Sequence, residues 1–566
     1  MRLIDWLVLV ITLSFIVVYG IWKSRRSRNM EAYLKGNTMP WYVVGLTIMA
    51  TQASAVTFLS APGQAYTDGM RFVQYYFGLP LAMIVICVTF VPIYQRLNVY
   101  TAYEYLEGRF DLKTRSLAAF LFLIQRGLGT GLTVFAPSLI LSAILGWNIY
   151  LTNAVICTVV VIYTVSGGSK AVSYTQMGQM SIILSGMLIA GVLIAKMLPM
   201  GVTVADALQV AGKMGRMNII DLKFDPQNKY NVWSGILGGF FLALSYFGTD
   251  QSQVGRYLTA KDTTESRLGL LFNGLVKIPM QFGILLTGVL LLVFHQFYQP
   301  PIFFNTLETD KIQKSVYASD FKKLEQQQAQ IFGEKKLKME AMVNAIHDQD
   351  KAKIQSLKTA IEQDENKVKE IRKSATNLML KNDPAANTDD VNYIFLYFVT
   401  KQFPVGLVGL LIAVILAASM SSSSSAFNAL ASTSIIDIYR RSIKPDGSDS
   451  HYVSASKWAT AIWGVFVFIV ACMATKLGSL IEAVNVLGSL FYGAILGIFL
   501  VAFYLKNIRG TAVFWAAAIT ELIVLFCYRF TNISFLWYNL IGCVLVMGIS
   551  YLLQNLNGSD RKFSEI

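Results

Sequence analysis

Five consecutive serines, Ser421 to Ser425, stand inside a stretch otherwise apolar enough to cross a bilayer, GLVGLLIAVILAASMSSSSSAFNALAS (406–432). Hydroxyls in hydrocarbon are costly unless something satisfies them. On a helix Ser421 and Ser425 lie one turn apart on one face, with Ser422 close by. Hydroxyl oxygens are hard ligands that suit a small hard cation. A seam of small residues for close helix packing would read the same way. A second polar run lies in VVGLTIMATQASAVTFLSAPGQAY (43–66), with Thr47, Thr51, Gln52, Ser54, Thr57 and Ser60 ahead of Pro62 and Gly63. Such density inside a span predicts local unwinding or a cavity-facing side, because freed carbonyls and side chains then have something to bind. Arg126, about ten residues into an apolar stretch, would cost about 2.5–3.5 kcal/mol near the bilayer centre. It either meets a carboxylate in a two-pronged fork, or bonds to carbonyls of a broken neighbour or snorkels to the interface.

The elements that must position these residues are membrane helices. Of 566 residues 54% are hydrophobic and 14% charged, about half the charge of a soluble protein. About thirteen stretches are long enough to span: 3–22, 43–67, 74–93, 116–145, 148–166, 172–198, 232–251, 268–297, 404–435, 457–475, 480–504, 510–529 and 534–553. The first is too long for a signal core and its charges, Lys23, Arg25, Arg26 and Arg28, follow it, so it reads as a retained span with the N-terminus outside. Alternating inward from there puts those charges, Arg109 with Lys113 and Arg115, Lys170, Arg256 with Lys261, Arg440 with Arg441, and Arg561 with Lys562 on the cytoplasmic side, as the positive-inside rule requires. The excess of basic residues, +14, is thereby a topology signal and not a nucleic-acid footprint. The C-terminus is then cytoplasmic, in a cell (inner or plasma) membrane.

Residues 305–388 break the pattern. They are rich in Lys, Glu, Gln and Asp, with Ile354, Leu357, Ile361, Val368, Ile371, Ala375 and Leu378 near a seven-residue repeat and Asp364 as a break. That spacing is coiled-coil-like. An earlier helix over 320–346, with Leu324, Ile331, Met339, Met342 and Ile346 as contacts, would complete an extracytoplasmic helical hairpin. It is either a solvated charged helix pair or a docking surface for a protein partner or gate. No CxxC pair exists among five cysteines, three histidines are scattered, and no phosphate-binding glycine loop or Ser/His/Asp frame appears. An ATP-driven pump or hydrolase has no support; the chain reads as a carrier, not an enzyme.

The segments ATQASAVTFLSAPGQAY (50–66), TAYEYLEGRFD (101–111), VSGGSKAVSYTQMGQ (165–179), GTDQSQVGRYLTAKD (248–262) and ASMSSSSSAFNALASTSIIDIY (418–439) together resemble the solute:sodium symporter family, with TAYEYLEGRF and AVTFL most like its monocarboxylate, vitamin and iodide branch. The resemblance implies an all-α LeuT-like core of two inverted five-helix repeats. Spans two to six and seven to eleven would supply them. The chain divides accordingly into an extra N-terminal span (1–30), the first repeat and start of the second (43–300), the insertion (305–388), the rest of the second repeat (392–505), and two extra spans with a short tail (506–566). It implies Na⁺ held by the carbonyls of Ala50, Ala53 and Ala418 and the hydroxyls of Ser421 and Ser422. It further implies that Tyr246 closes the substrate site from inside. A second sodium site in some members needs an aspartate where this chain has Gln176, beside Ser424 and Ser425, so that site is expected to be vestigial and one sodium to be coupled. Gln52, Thr57, Arg126 and Tyr246 are the expected substrate contacts. The resulting expectation is a sodium-coupled symporter for a small polar organic solute (carboxylate, sialic acid or sugar class), working by alternating access among membrane lipids. A proton-coupled carrier of the same fold and a transporter-like sensor are the alternatives.

Overall fold

The computed structural model describes residues 2–24, 39–97, 99–476 and 478–556. The basic clusters at Arg25, Arg26 and Arg28 and at Arg561 and Lys562 lie outside the described residues. Fifteen principal helices among the described residues build the fold: α1 Leu3–Ser24, α2 Trp41–Gln52, α3 Ala55–Asp68, α4 Leu112–Leu145, α5 Ile149–Lys196, α6 Gly239–Gly248, α7 Gln251–Tyr257, α8 Thr263–Phe297, α9 Ala318–His347, α10 Lys351–Asn382, α11 Leu407–Ser432, α12 Asp449–Met473, α13 Leu480–Tyr504, α14 Gly510–Phe530 and α15 Leu536–Leu556. Among the described residues nine helical stretches are long and apolar enough to cross a membrane, and three apolar helices are shorter. The molecule is thus a multi-pass, all-helical membrane protein.

The fifth and sixth predicted spans, 148–166 and 172–198, both lie within the helical stretch α5. Its two halves have different neighbours: Cys157 meets the carbonyl of Gly464 on α12, while Gln176 meets Thr51 and Ser425.

Helix α11 crosses the middle of the bundle, packed against α1, α2, α3, α4, α5 and α12. Its start is capped from another helix. Gly406 has φ +88°, a left-handed conformation that suits glycine, and the Oδ1 of Asp5 on α1 accepts from the backbone N–H of Gly406 at 2.6 Å and of Gly409 at 3.4 Å. Helices α3 and α8 approach closely enough that a Cβ on Gly288 would stand 2.2 Å from the carbonyl oxygen of Pro62. That contact fixes α8 beside the polar second span.

The charged insertion folds as an antiparallel hairpin of α9 on α10, with α9 two residues longer at its start and one at its end than the predicted 320–346. Met339, Met342, Ile346, Ile361 and Ala375 are buried as the repeat requires, and Phe321 and Met379 join them. The break residue Asp364 is buried too, paired with Lys338 on the facing helix and with Lys367 at 3.5 Å. The hairpin rests on the core: α9 touches α8 and the short helix Val204–Lys213, where the Nε2 of His347 lies 2.9 Å from the Oδ1 of Asp206.

Candidate functional site

The polar second span contains a helix break. α2 stops at Gln52; Ala53 (φ −84°, ψ 74°) and Ser54 (φ −82°, ψ 177°) leave the helical region, and α3 resumes at Ala55. Both halves lie against α11. All five serines of the run are buried, none more than 5% exposed.

Their hydroxyls are not equivalent. Ser421 Oγ has no hydrogen-bond partner. Ser422 Oγ donates to the carbonyl of Ser419 at 3.2 Å, which leaves its lone pairs open. Ala50 stands in the last turn of α2, Ala53 at the break, and Ala418 one turn before these two serines. An orphaned buried hydroxyl beside an unwound backbone fits a small cation, which would satisfy both at once.

Ser425 is different. Its Oγ donates to the carbonyl of Ser421 at 3.1 Å and accepts from Gln176 Nε2 at 3.0 Å and from Arg256 Nη2 at 2.6 Å. A hydroxyl has two acceptor lone pairs, and both are used. Gln176 also reaches Thr51 Oγ1 at 3.4 Å, tying α5 to α2. The guanidinium of Arg256 thus brings a fixed positive charge to the position that the family resemblance reserves for a second cation. Ser424 and Ser423 are buried without hydroxyl partners.

A cavity of about 100 Å³ opens beside the helix break. Gln52, Thr57, Arg126 and Tyr246, the four expected substrate contacts, all line it. Arg126 faces Asp250, with which it forms an ion pair, and Ser252, and its Cζ lies 5.6 Å from the Tyr246 ring centroid. Its fork is met by a carboxylate of the protein itself; carbonyls and the interface, the other expectation, are not its partners. Asp250 is fully engaged: Tyr492 donates to its Oδ2 at 2.7 Å, and Ser252 N–H and Oγ donate to its Oδ1 at 2.9 and 2.7 Å. Gln253 Nε2 donates to the Tyr246 hydroxyl at 2.6 Å and holds the ring in place.

The sequence reading missed Lys277. It sits in the middle of α8, wholly buried, lines the same cavity and has no hydrogen-bond partner for its Nζ, which lies 5.9 Å from the Tyr76 ring centroid. A lysine eight residues or more from either end of an apolar helix carries the same signal as Arg126 and was findable by it. Tyr75, which donates to Asn485 at 3.1 Å, covers the cavity from a short helix after α3; nothing in local sequence marks it.

The TAYEYLEGRF segment forms a separate charged knot. Asp437 Oδ1 accepts from Thr101 at 2.7 Å and from Arg115 Nε at 2.8 Å, and Arg115 Nη1 reaches Glu107 at 2.7 Å, which Arg441 also holds. Partial burial opposes ionisation of Glu107, but hydrogen bonds from Arg441 and Arg115 hold its carboxyl below the usual range.

A broken helix facing a buried hydroxyl-bearing helix, with a small cavity lined by cationic and aromatic groups at the break, defines a membrane carrier of the inverted-repeat type. The chain belongs to the sodium:solute symporter family, whose model matches residues 32–311 and 379–519 and passes over most of the hairpin. It is 30% identical over 279 residues to the human (Homo sapiens) sodium/iodide cotransporter, taking in 49% of this chain and 42% of that protein. It is 31% identical over 264 residues to sodium-coupled monocarboxylate transporter 2 of Bos taurus, 45% of this chain and 41% of that one. The chain thus spans less than half the length of these curated relatives. In fold it is similar to a Na⁺-coupled sialic acid symporter solved in a substrate-bound outward-open state, with a TM-score of 0.74, 19% identity, and 98% of both chains covered.

Proposed function

We propose that the chain is a symporter coupling one sodium ion per cycle to uptake of a small organic anion, a monocarboxylate in preference to a sugar or sialic acid. The observation that carries the reading is Lys277: an ammonium buried without a partner is costly, and an anionic solute in the cavity would offset that cost. Arg126 has a different task here. Its charge is already met by Asp250, so it orients Tyr246 and the inner wall of the site while leaving Lys277 to recognise the anion. The cavity is small, about 100 Å³, which suits a monocarboxylate of few atoms.

Sodium is the second substrate. Ser421, Ser422 and the backbone at Ala50, Ala53 and Ala418 would hold it, joining α2 to α11 and favouring the solute-competent state. Its inward movement down 100 mV supplies about 2.3 kcal/mol from voltage alone. The solute reaches a site whose far wall is Tyr246 and Tyr492, and release follows when that wall opens. Positive-inside reasoning puts the N-terminus and the hairpin outside the cell and the Arg115–Asp437 knot at the cytoplasmic end.

The test is uptake of radiolabelled pyruvate into proteoliposomes with and without a sodium gradient. Sodium-dependent uptake is expected, lost in Lys277→Gln and reduced at least tenfold in Ser421→Ala/Ser422→Ala. Uptake indifferent to sodium, or unchanged in the double serine variant, would sink the sodium assignment; uptake of a neutral sugar alone would sink the anion assignment.

A further inference from the structure

The hairpin does more than rest on the core: the two enclose a cavity of about 240 Å³. Its walls are mixed. The core contributes Tyr66 at the end of α3, His295 and Gln296 near the end of α8, and Phe304 on the following loop; the hairpin contributes Phe332 from α9 and Lys369 from α10. Phe332 and Lys369 lie in the stretch 312–378 that the family match passes over, so this pocket is a property of the insertion. It is also distinct from the central cavity. Tyr66 follows Thr57 by nine residues on the same helix, a rise of about 13 Å.

The chemistry of the walls is that of an anion site. Two carboxylates line the cavity, and both are engaged: Glu365 with Lys335 at 3.2 Å, and Asp390 with Arg372 at 2.8 Å and with the backbone N–H of Phe304 at 2.7 Å. Two further cations line it, Arg216 and Lys369, and among the described residues neither has a carboxylate within ion-pair distance. Arg216 donates to the carbonyl of Thr67, and its Nε has no partner. Two buried polar atoms in the wall are also unpartnered, Gln296 Oε1 (residue 2% exposed) and His295 Nδ1 (5%). Unpaired polar groups at that depth call for a ligand or water that supplies the missing bonds. Tyr66, His295 and Phe304 pack against one another with ring centroids 5.6–5.8 Å apart, an aromatic wall against which a flat organic group can lie.

We propose that this pocket binds a small planar organic carboxylate, with the carboxylate between Lys369 and Arg216, the flat body against the Tyr66–His295–Phe304 wall, and any hydroxyl on Gln296. It is a second site, assembled from hairpin and core, and it does not depend on what the central cavity transports.

The test uses the full-length protein in nanodiscs, in sodium-free choline buffer, with 4-fluorobenzoate as probe followed by fluorine NMR line broadening and equilibrium dialysis. One saturable site is expected in the wild type. Lys369→Glu, at an exposed position that leaves the fold intact, weakens it at least fivefold with an unchanged thermal midpoint; Phe332→Ala weakens it as well. Lys277→Gln leaves it unaltered. No broadening by the wild type, equal affinity in Lys369→Glu, or loss of binding in Lys277→Gln while Lys369→Glu still binds would each overturn the proposal. The last outcome would place the probe in the central cavity.

Discussion

Arg256 donates to the hydroxyl of Ser425 over 2.6 Å, across 169 residues of sequence. With Gln176 on the same oxygen, the hydroxyl has no lone pair left for an ion. Sodium activation of uptake is therefore expected to follow a Hill coefficient of about one. Removing the cation and restoring an acid, in Arg256→Ser/Gln176→Asp, should raise the coefficient above one. A wild-type coefficient near two would show that the cluster admits an ion after all.

Arg126 pairs with Asp250, whose carboxylate is wholly buried, and removing the arginine leaves that charge without its cation. Arg126→Met should cost about 3–5 kcal/mol and abolish uptake. Arg126→Met/Asp250→Asn should recover most of the stability and none of the transport. Thermal unfolding in detergent measures the first effect and proteoliposome uptake the second. Additive losses in the double variant would mean that the pair is not energetically coupled.

Glu521 lies inside α14, 7% exposed, and neither carboxyl oxygen has a hydrogen-bond partner. Replacing an unpartnered buried polar group with an apolar one of similar size removes a penalty of about 1–3 kcal/mol. Glu521→Leu should accordingly raise the thermal midpoint with sodium-driven uptake intact. If uptake collapses instead, Glu521 carries protons or ions, and the proton-coupled alternative revives.

The hairpin contact at Asp206 should respond to acid. Burial opposes ionisation of Asp206, but hydrogen bonds from the backbone and hydroxyl of Thr203 and from His347 outweigh it and hold the carboxyl below its ordinary value. A folded pKa below the unfolded one means the contribution is complete above pH ~4 and is lost as pH falls through the lowered value. Spin labels at Gly212 and Gly333, where a side chain meets nothing within 4 Å, report the docking. Their distance distribution should stay narrow from pH 5 to 8 and broaden below about pH 4. Asp206→Asn should broaden it already at neutral pH, since a weakened cap costs about 0.5–2 kcal/mol. A distribution that ignores pH would show that the hairpin is held elsewhere.

Local signals were legible in the sequence where the physics is local. Polar residues over 47–60 called for local unwinding or a cavity-facing side, and the span shows both: a break at Ala53, with Gln52 and Thr57 on the cavity wall. The apolar spacing of the insertion gave the first helix of the hairpin to within two residues at either end. The four residues expected at the substrate site line one cavity. What escaped were partners chosen by the tertiary fold. Nothing near Arg256 in sequence points to Ser425, and nothing near Arg126 fixed whether Asp250 or a solute would meet it. Lys277 is a different case: its own surroundings carried the signal, an unpaired charge in an apolar helix.

The cap that Asp5 places on the first turn of α11 joins the N-terminal helix to the serine helix. Any tilt of α11 would carry α1 with it, and α1 turns Leu7, Val10 and Ile11 outward, each more than half exposed. The match between bilayer thickness and the apolar length of α1 would then become a load on any such motion.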